Sequence, residues 1–336
     1  MAAPRTTLAL LVLATASGGS AARARAAGAD ACILFESRAS SGFWLGRVDF
    51  AAQQLVDLLP LPPSLASVQG GLTAGAAGGT FFVGDNGAGT LIALDLASNT
   101  TTTRAVTAPP GYAQLGAPSW YSMEVDAATG ALWSLLQVFP QYWLAARVFP
   151  GNGSSQALSA NFVNNSLTWT KWGVAAVDTR RGLLYTVAGV QPQGAAALVG
   201  VALGEPAAPV VFRQVPGPPN ADIDWLGYSA PLDLLLASAY NGSGLAGVHA
   251  MPAGGAGGAA WRTLYEWPIG SEDSGGLGDA ALSGDGRTLF VALRDSSAGD
   301  TPALFAIDAL TGQLLHSLVV PSAQWPDMMV AGVCAC

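Results

Sequence analysis

Short apolar or alternating runs, cut at close intervals by Gly, Asn, Asp and Pro, make up most of the chain from about residue 30 onward. "LLYTVAGV" (183–190), "DLLLASAY" (233–240) and "TLFVALRD" (288–295) have the length and composition of strands, and the pattern contains almost no helix. The runs also repeat. "WYSMEVDAATGALWSL" from Trp120 and "WGVAAVDTRRGLLYTV" from Trp172 share a Trp, an Asp six positions on, and an aromatic seven positions further. Weaker copies begin at Gln69, Trp225 and Leu277, so that Phe82, Trp133, Tyr185, Leu235 and Phe290 recur about every 50 residues. Each unit continues into third and fourth runs such as "YWLAARVF" and "SSQALSANF". The expected fold class is therefore all-β, a six-bladed β-propeller of four-stranded antiparallel blades.

Six second, third and fourth runs accompany only five inner ones if the count stops at Leu277. The missing inner strand is "WPDMMVAG" (325–332), whose Trp325 takes the slot of Trp120, Trp172 and Trp225. The C-terminal strand is expected to close the ring by joining the N-terminal blade, which begins at "CILFES" (32–37). In that register Cys32 and Cys334 flank the place of the missing hairpin. A Cys32–Cys334 disulfide is the expected clasp, with Cys336 as the alternative partner.

The N-terminus has the form of an export signal: Arg5, then the apolar "LALLVLATA" (8–16), then small residues. The domain reading is a signal peptide over 1–22, with cleavage between 16 and 29, followed by one propeller domain over 30–336. A secreted, extracellular or secretory-lumen location follows, and four glycosylation sequons suit it, at Asn99, Asn152, Asn164 and Asn241. No later run is long enough for a membrane helix. The net charge of −8 and the single lysine, Lys171, disfavour nucleic acid and anionic membranes as partners.

"GGTFFVGDNGAGTLIALDLAS" (78–98), "LSGDGRTLFVAL" (282–293) and "LLLASAYNGSGLAGVHAM" (234–251) resemble the NHL-repeat, YVTN-type and gluconolactonase-like propellers. The resemblance covers nearly the whole mature chain through its blade grammar, which specifies strands and turns. It implies, for the gluconolactonase-like branch, a hydrolase holding calcium at the centre of the upper face through Glu, Asn and Asp. Asp279 and Asn241-Gly242 match that pattern in part: Asp279 is shifted by one position and lacks the preceding Pro.

Propeller sites gather where fourth strands lead into inner strands and second strands lead into third strands. There the sequence places Asp85, Asn86, Lys171, Asp222, Asp224, Asn241, Arg294 and Asp295 as a ligand-binding rim. Asp279, Asp327 and Glu124 lie on inner strands and are the candidate calcium ligands, calcium favouring six to eight oxygens. Asp126 and Asp178 precede tight turns on the opposite face and are read as turn formers. The two histidines, His249 and His316, fall in a third and a fourth strand, which disfavours a central histidine base or a zinc site. Neither a Gly-x-Ser-x-Gly elbow nor a phosphate loop is present. The reading is a monomeric binding or interaction module whose acidic upper face takes a small molecule, glycan or protein. The alternative is a calcium-dependent lactonase or arylesterase in which the metal polarises a carbonyl and a carboxylate acts as base.

Overall fold

The computed structural model describes residues 31–37, 42–60, 73–77, 80–85, 89–95, 98, 100–112, 118–120, 122–125, 130–138, 142–159, 161, 167–190, 195–204, 212–218, 222–240, 245–254, 260–268, 280–295, 301–319 and 328–335. Among these residues the regular structure is β-strand throughout, and the strands pair into six antiparallel sheets.

The most regular sheets are simple meanders. β13 (Leu167–Asp178), β14 (Leu183–Val190), β15 (Ala195–Ala202) and β16 (Phe212–Val215) pair in that order. So do β17 (Asp222–Ser229), β18 (Leu234–Tyr240), β19 (Leu245–Pro252) and β20 (Arg262–Pro268). β21 (Ala280–Leu282), β22 (Thr288–Asp295), β23 (Thr301–Asp308) and β24 (Leu314–Val319) form a third, and β4 (Thr73–Ala77), β5 (Thr80–Asp85), β6 (Thr90–Asp95) and β7 (Thr100–Ala105) a fourth. The second strands are apolar on both faces because each sheet is covered on both sides; β18 is buried at every position except its last. The outer strands alternate less and are wetter, and β7 is exposed along its whole length.

Two sheets depart from the plain meander. One contains five segments, because its inner strand is broken into β8 (Pro118–Trp120) and β9 (Glu124–Val125), both paired with β10 (Leu132–Val138), which continues to β11 (Tyr142–Phe149) and β12 (Ser154–Ala157). The other unites the two ends of the chain: β25 (Met328–Ala335) pairs antiparallel with β1 (Ala31–Ser37), followed by β2 (Gly42–Asp49) and β3 (Gln54–Pro60). In that pairing Cys32 stands opposite Cys334.

Side chains bury between neighbouring sheets. Phe82 and Leu91 pack on Trp120, Leu132 and Leu136. Leu135 and Trp143 pack on Val177 and Leu184. Val174 and Tyr185 meet Leu226 and Leu235, and Val248 and Trp267 meet Leu289 and Val291. Phe290 and Leu304 meet Val48, and β25 lies against β4. This face-to-face stacking of small twisted sheets is the packing of a propeller.

The repeated Trp positions differ from the sequence expectation in one respect. Trp120 ends β8 and Trp172 and Trp225 lie inside β13 and β17, so the inner strands start earlier than the Trp that was expected to open them. The inner strands are irregular at these points, with register shifts between Thr170 and Ala175 and between Ile223 and Trp225. Such bulges sharpen the local twist, which strands crowded toward a centre require.

Candidate functional site

The register defines two ends of every sheet. Pro118 stands opposite Val138, Leu167 opposite Val190 and Asp222 opposite Tyr240, so inner strands begin where second strands end. This upper end receives Asp222 and Asp224 from the start of β17, Asp85 from the last position of β5, and Arg294 and Asp295 from the end of β22. Asp222 is exposed and Asp224 half-buried. Lys171 lies four residues into β13, within the irregular stretch between Thr170 and Ala175. Asn86, Asn241, Asp279 and Asp327 lie outside the described residues.

Glu124 belongs elsewhere. Its partner Trp133 is the second residue of β10, which puts Glu124 at the lower end of its sheet, away from the rim. Its Oε2 accepts the main-chain N–H of Val177 on β13 at 2.7 Å. Burial pushes its carboxyl up to about 8, against the smaller lowering effect of that hydrogen bond. Its hydrogen bond to Val177 and its place at the lower end of the sheet separate Glu124 from the rim acids Asp222 and Asp224. Among the described residues no group of three or more His, Cys, Asp and Glu is arranged to hold a metal ion.

The lower end is a structural face. Asp178, fully buried, accepts the N–H groups of Arg180 and Arg181 at 3.0 Å, the turn-forming role expected for it. Asp126 lies outside the described residues. Arg181 then bridges two sheets: its guanidinium donates to Asp178 at 2.6 Å and bidentately to Asp233, in the β17–β18 turn, at 2.7 Å. The Arg181 hydrogen bonds lower the Asp233 carboxyl to about 2, and burial followed by the hydrogen bond to Asp233 raises the Tyr228 hydroxyl to about 12.

Both histidines are peripheral, as their strand positions implied. His249 on β19 is half-buried, with its ring nitrogen 3.2 Å from the Thr263 hydroxyl, and burial lowers its pKa. His316 on β24 stacks on Phe50 of the neighbouring sheet, 5.4 Å between ring centroids.

A set of buried hydroxyls, not expected from the strand pattern, mends the inner strands. Between β8 and β9, Ser134 donates to Ser122 O at 2.5 Å and Leu135 N–H donates to the Ser122 hydroxyl at 3.1 Å. In the next sheet Thr186 donates to Val174 O at 2.7 Å, beside the shift in β13. Ser134 follows Trp120 by the same number of residues as Thr186 follows Trp172, so a polar residue at a fixed offset inside an apolar run was the available signal.

No protein-family model matches the chain, and no curated protein matches it. Solved structures do. One is a nidogen/laminin complex, with a TM-score of 0.54 at 12% identity over 90% of this chain and 97% of that one. Another is TolB from Acinetobacter baumannii, with a TM-score of 0.55 at 11% identity over 90% of this chain and 67% of that one. At such identities the likeness speaks to architecture alone. Together with the sheets described above, it identifies the chain's fold as a β-propeller of four-stranded antiparallel blades.

Proposed function

We propose that this chain is an exported, monomeric six-bladed propeller, its ring closed by β25 joining β1, that binds a small molecule, a glycan or an extracellular protein through its acidic upper face. The observation that carries the reading is the placement of Asp222, Asp224, Asp85, Arg294 and Asp295 at strand positions on one end of the sheets, whereas Glu124, Asp178, Arg181 and Asp233 at the other end bond between sheets. The antiparallel pairing of β25 with β1 and the contact of β25 with β4 support the closed ring. The resemblance of the architecture to a propeller in a nidogen/laminin complex supports a protein among the ligands. We propose in addition a disulfide from Cys32 to Cys334, with Cys336 as the alternative partner; the opposition of Cys32 and Cys334 across β1 and β25 supports the first pairing.

The calcium-dependent hydrolase is the competing reading. Its metal would rest on Asp279 and Asp327, since Glu124 lies at the lower end of its sheet. One experiment separates the two. Calcium is titrated calorimetrically into chelator-stripped protein, and partners are captured on wild type and on Asp222→Asn/Asp224→Asn, with Asp233→Asn as a lower-face control. Capture that fails only in the upper-face variant, without calcium uptake, supports the binding module. One-to-one calcium binding lost in Asp279→Ala and Asp327→Ala overturns it in favour of the hydrolase.

A further inference from the structure

The turn between β11 and β12 carries the Asn152-Gly153-Ser154 sequon at the lower end of its sheet. Its geometry is held from both sides. Asn152 N–H and Gly153 N–H both donate to Phe149 O, at 3.3 and 2.9 Å, and Gly153 O accepts Thr107 N–H of the adjoining segment at 3.0 Å. Gly153 adopts φ +70°, and a Cβ there would meet Ala105 O, so this middle position admits glycine only. Within this frame Asn152 is exposed. Its Oδ1 accepts both the Ser154 N–H at 3.0 Å and the Ser154 hydroxyl at 2.8 Å. The acceptor oxygen is thereby fixed inside the turn, and among the described residues Nδ2 donates to no protein group.

Beside Asn152 lies a depression of about 600 Å³ between this turn and the start of β10, with Phe149, Pro150, Gly130 and Ala131 in its lining. Phe149 is 37% exposed and forms part of that apolar lining. The sequon asparagine is itself part of that lining. A sugar attached to its amide would be held at high effective concentration over the ring, where apolar sugar C–H groups pack on an aromatic face.

We infer that Asn152 carries an N-linked glycan whose first sugar covers Phe149 in this depression. The inference rests on the export reading. In the transfer, Asn152 Nδ2 bonds to the anomeric carbon of a lipid-diphosphate-linked oligosaccharide. The anomeric C–O bond breaks, the diphosphate leaves with the electron pair, and the amide proton passes to a base. The glycan then occupies the lower end and leaves the acidic upper rim open, so ligand and glycan do not compete.

The test uses the full chain secreted from eukaryotic cells in two forms, with its own N-terminus and behind a heterologous signal peptide. Glycosidase release in heavy-oxygen water marks each occupied asparagine, and hydroxyl-radical footprinting reads Phe149. The expected result is a mark at Asn152 in both forms and Phe149 labelling several-fold lower than in Asn152→Gln, rising to the variant's level when the wild type is deglycosylated. The enzymatic arm needs no variant. An unmarked Asn152 behind the heterologous signal, or Phe149 labelling indifferent to the glycan, overturns the inference. Occupancy behind that signal but retention of the chain bearing its own N-terminus supports the inference and overturns the export reading.

Discussion

Glu124 Oε2 accepts the N–H of Val177 at 2.7 Å, so a carboxyl of one sheet completes the hydrogen bonding of the next. This arrangement has a pH signature. Unfolded, Glu124 ionises near its ordinary value of 4.5; folded, burial holds its proton to about 8. Between those values the folded state binds more protons, so stability falls as pH rises through the window and the loss is complete above about 8. Glu124→Gln keeps an oxygen for Val177 and cannot ionise. It is expected to flatten the decline in Tm between about pH 5 and about pH 9. Parallel pH profiles for variant and wild type would mean that Glu124 is ionised in the fold.

Gly84 on β5 and Trp120 on β8 show how closely neighbouring sheets approach. A Cβ on Gly84 would lie 2.6 Å from Trp120 Cγ, and Trp120 is fully buried. The indole has no room to withdraw. Gly84→Ala should lower stability by about 1–3 kcal/mol through overpacking. Denaturant unfolding checks this; a change below about 0.5 kcal/mol would mean that the sheets separate more easily than the packing implies.

Thr186 and Val174 form the corresponding mend in β13. Thr186→Val keeps shape and β propensity but leaves the buried Val174 carbonyl without that donor. The expected cost is about 1–2 kcal/mol, with Ser134→Ala similar in the preceding sheet. Val187, one residue on, packs between sheets without a polar role, and Val187→Ala is the control for cavity formation. If Thr186→Val unfolds at the wild-type denaturant concentration, water satisfies the carbonyl.

The architecture was legible because propeller blades write themselves in repeated strands and turns. The shared spacing of the Trp120 and Trp172 segments, with weaker copies from Gln69, Trp225 and Leu277, marked four-stranded antiparallel units, and such sheets are what the fold contains. The site was less legible. Glu124 was placed with the upper-face acids because linear position along an inner strand does not reveal how deep its carboxyl sits or which main-chain N–H it meets. Asp178 was legible as a turn former from its "DTRRG" context, but its part in the clamp was not, since Asp233 joins Arg181 from a distant turn. Bulges in β13 and β17 were likewise invisible, because the demand for extra twist comes from the neighbours and not from the strand.

Cys32 and Cys334 are opposite residues of antiparallel strands at the two ends of the chain. Opposed Cα atoms in such a pair lie about 4.5–5.5 Å apart, within the usual span of a disulfide. Oxidation of both thiols, with their two electrons and two protons taken up by a small-molecule or protein disulfide, would join β1 to β25 covalently. A bond closing nearly the whole chain restricts the unfolded state and is expected to add on the order of 4 kcal/mol. Alkylation of the protein secreted behind a heterologous signal peptide, without reductant, should then block one thiol of three, at Cys336, and peptide mapping should recover Cys32 linked to Cys334. Cys336→Ser should leave the unfolding midpoint unchanged, whereas Cys334→Ser should lower it and make Cys32 alkylatable. Three alkylated cysteines in the folded protein so secreted would show that hydrogen bonding and packing hold the two strands together without a covalent clasp.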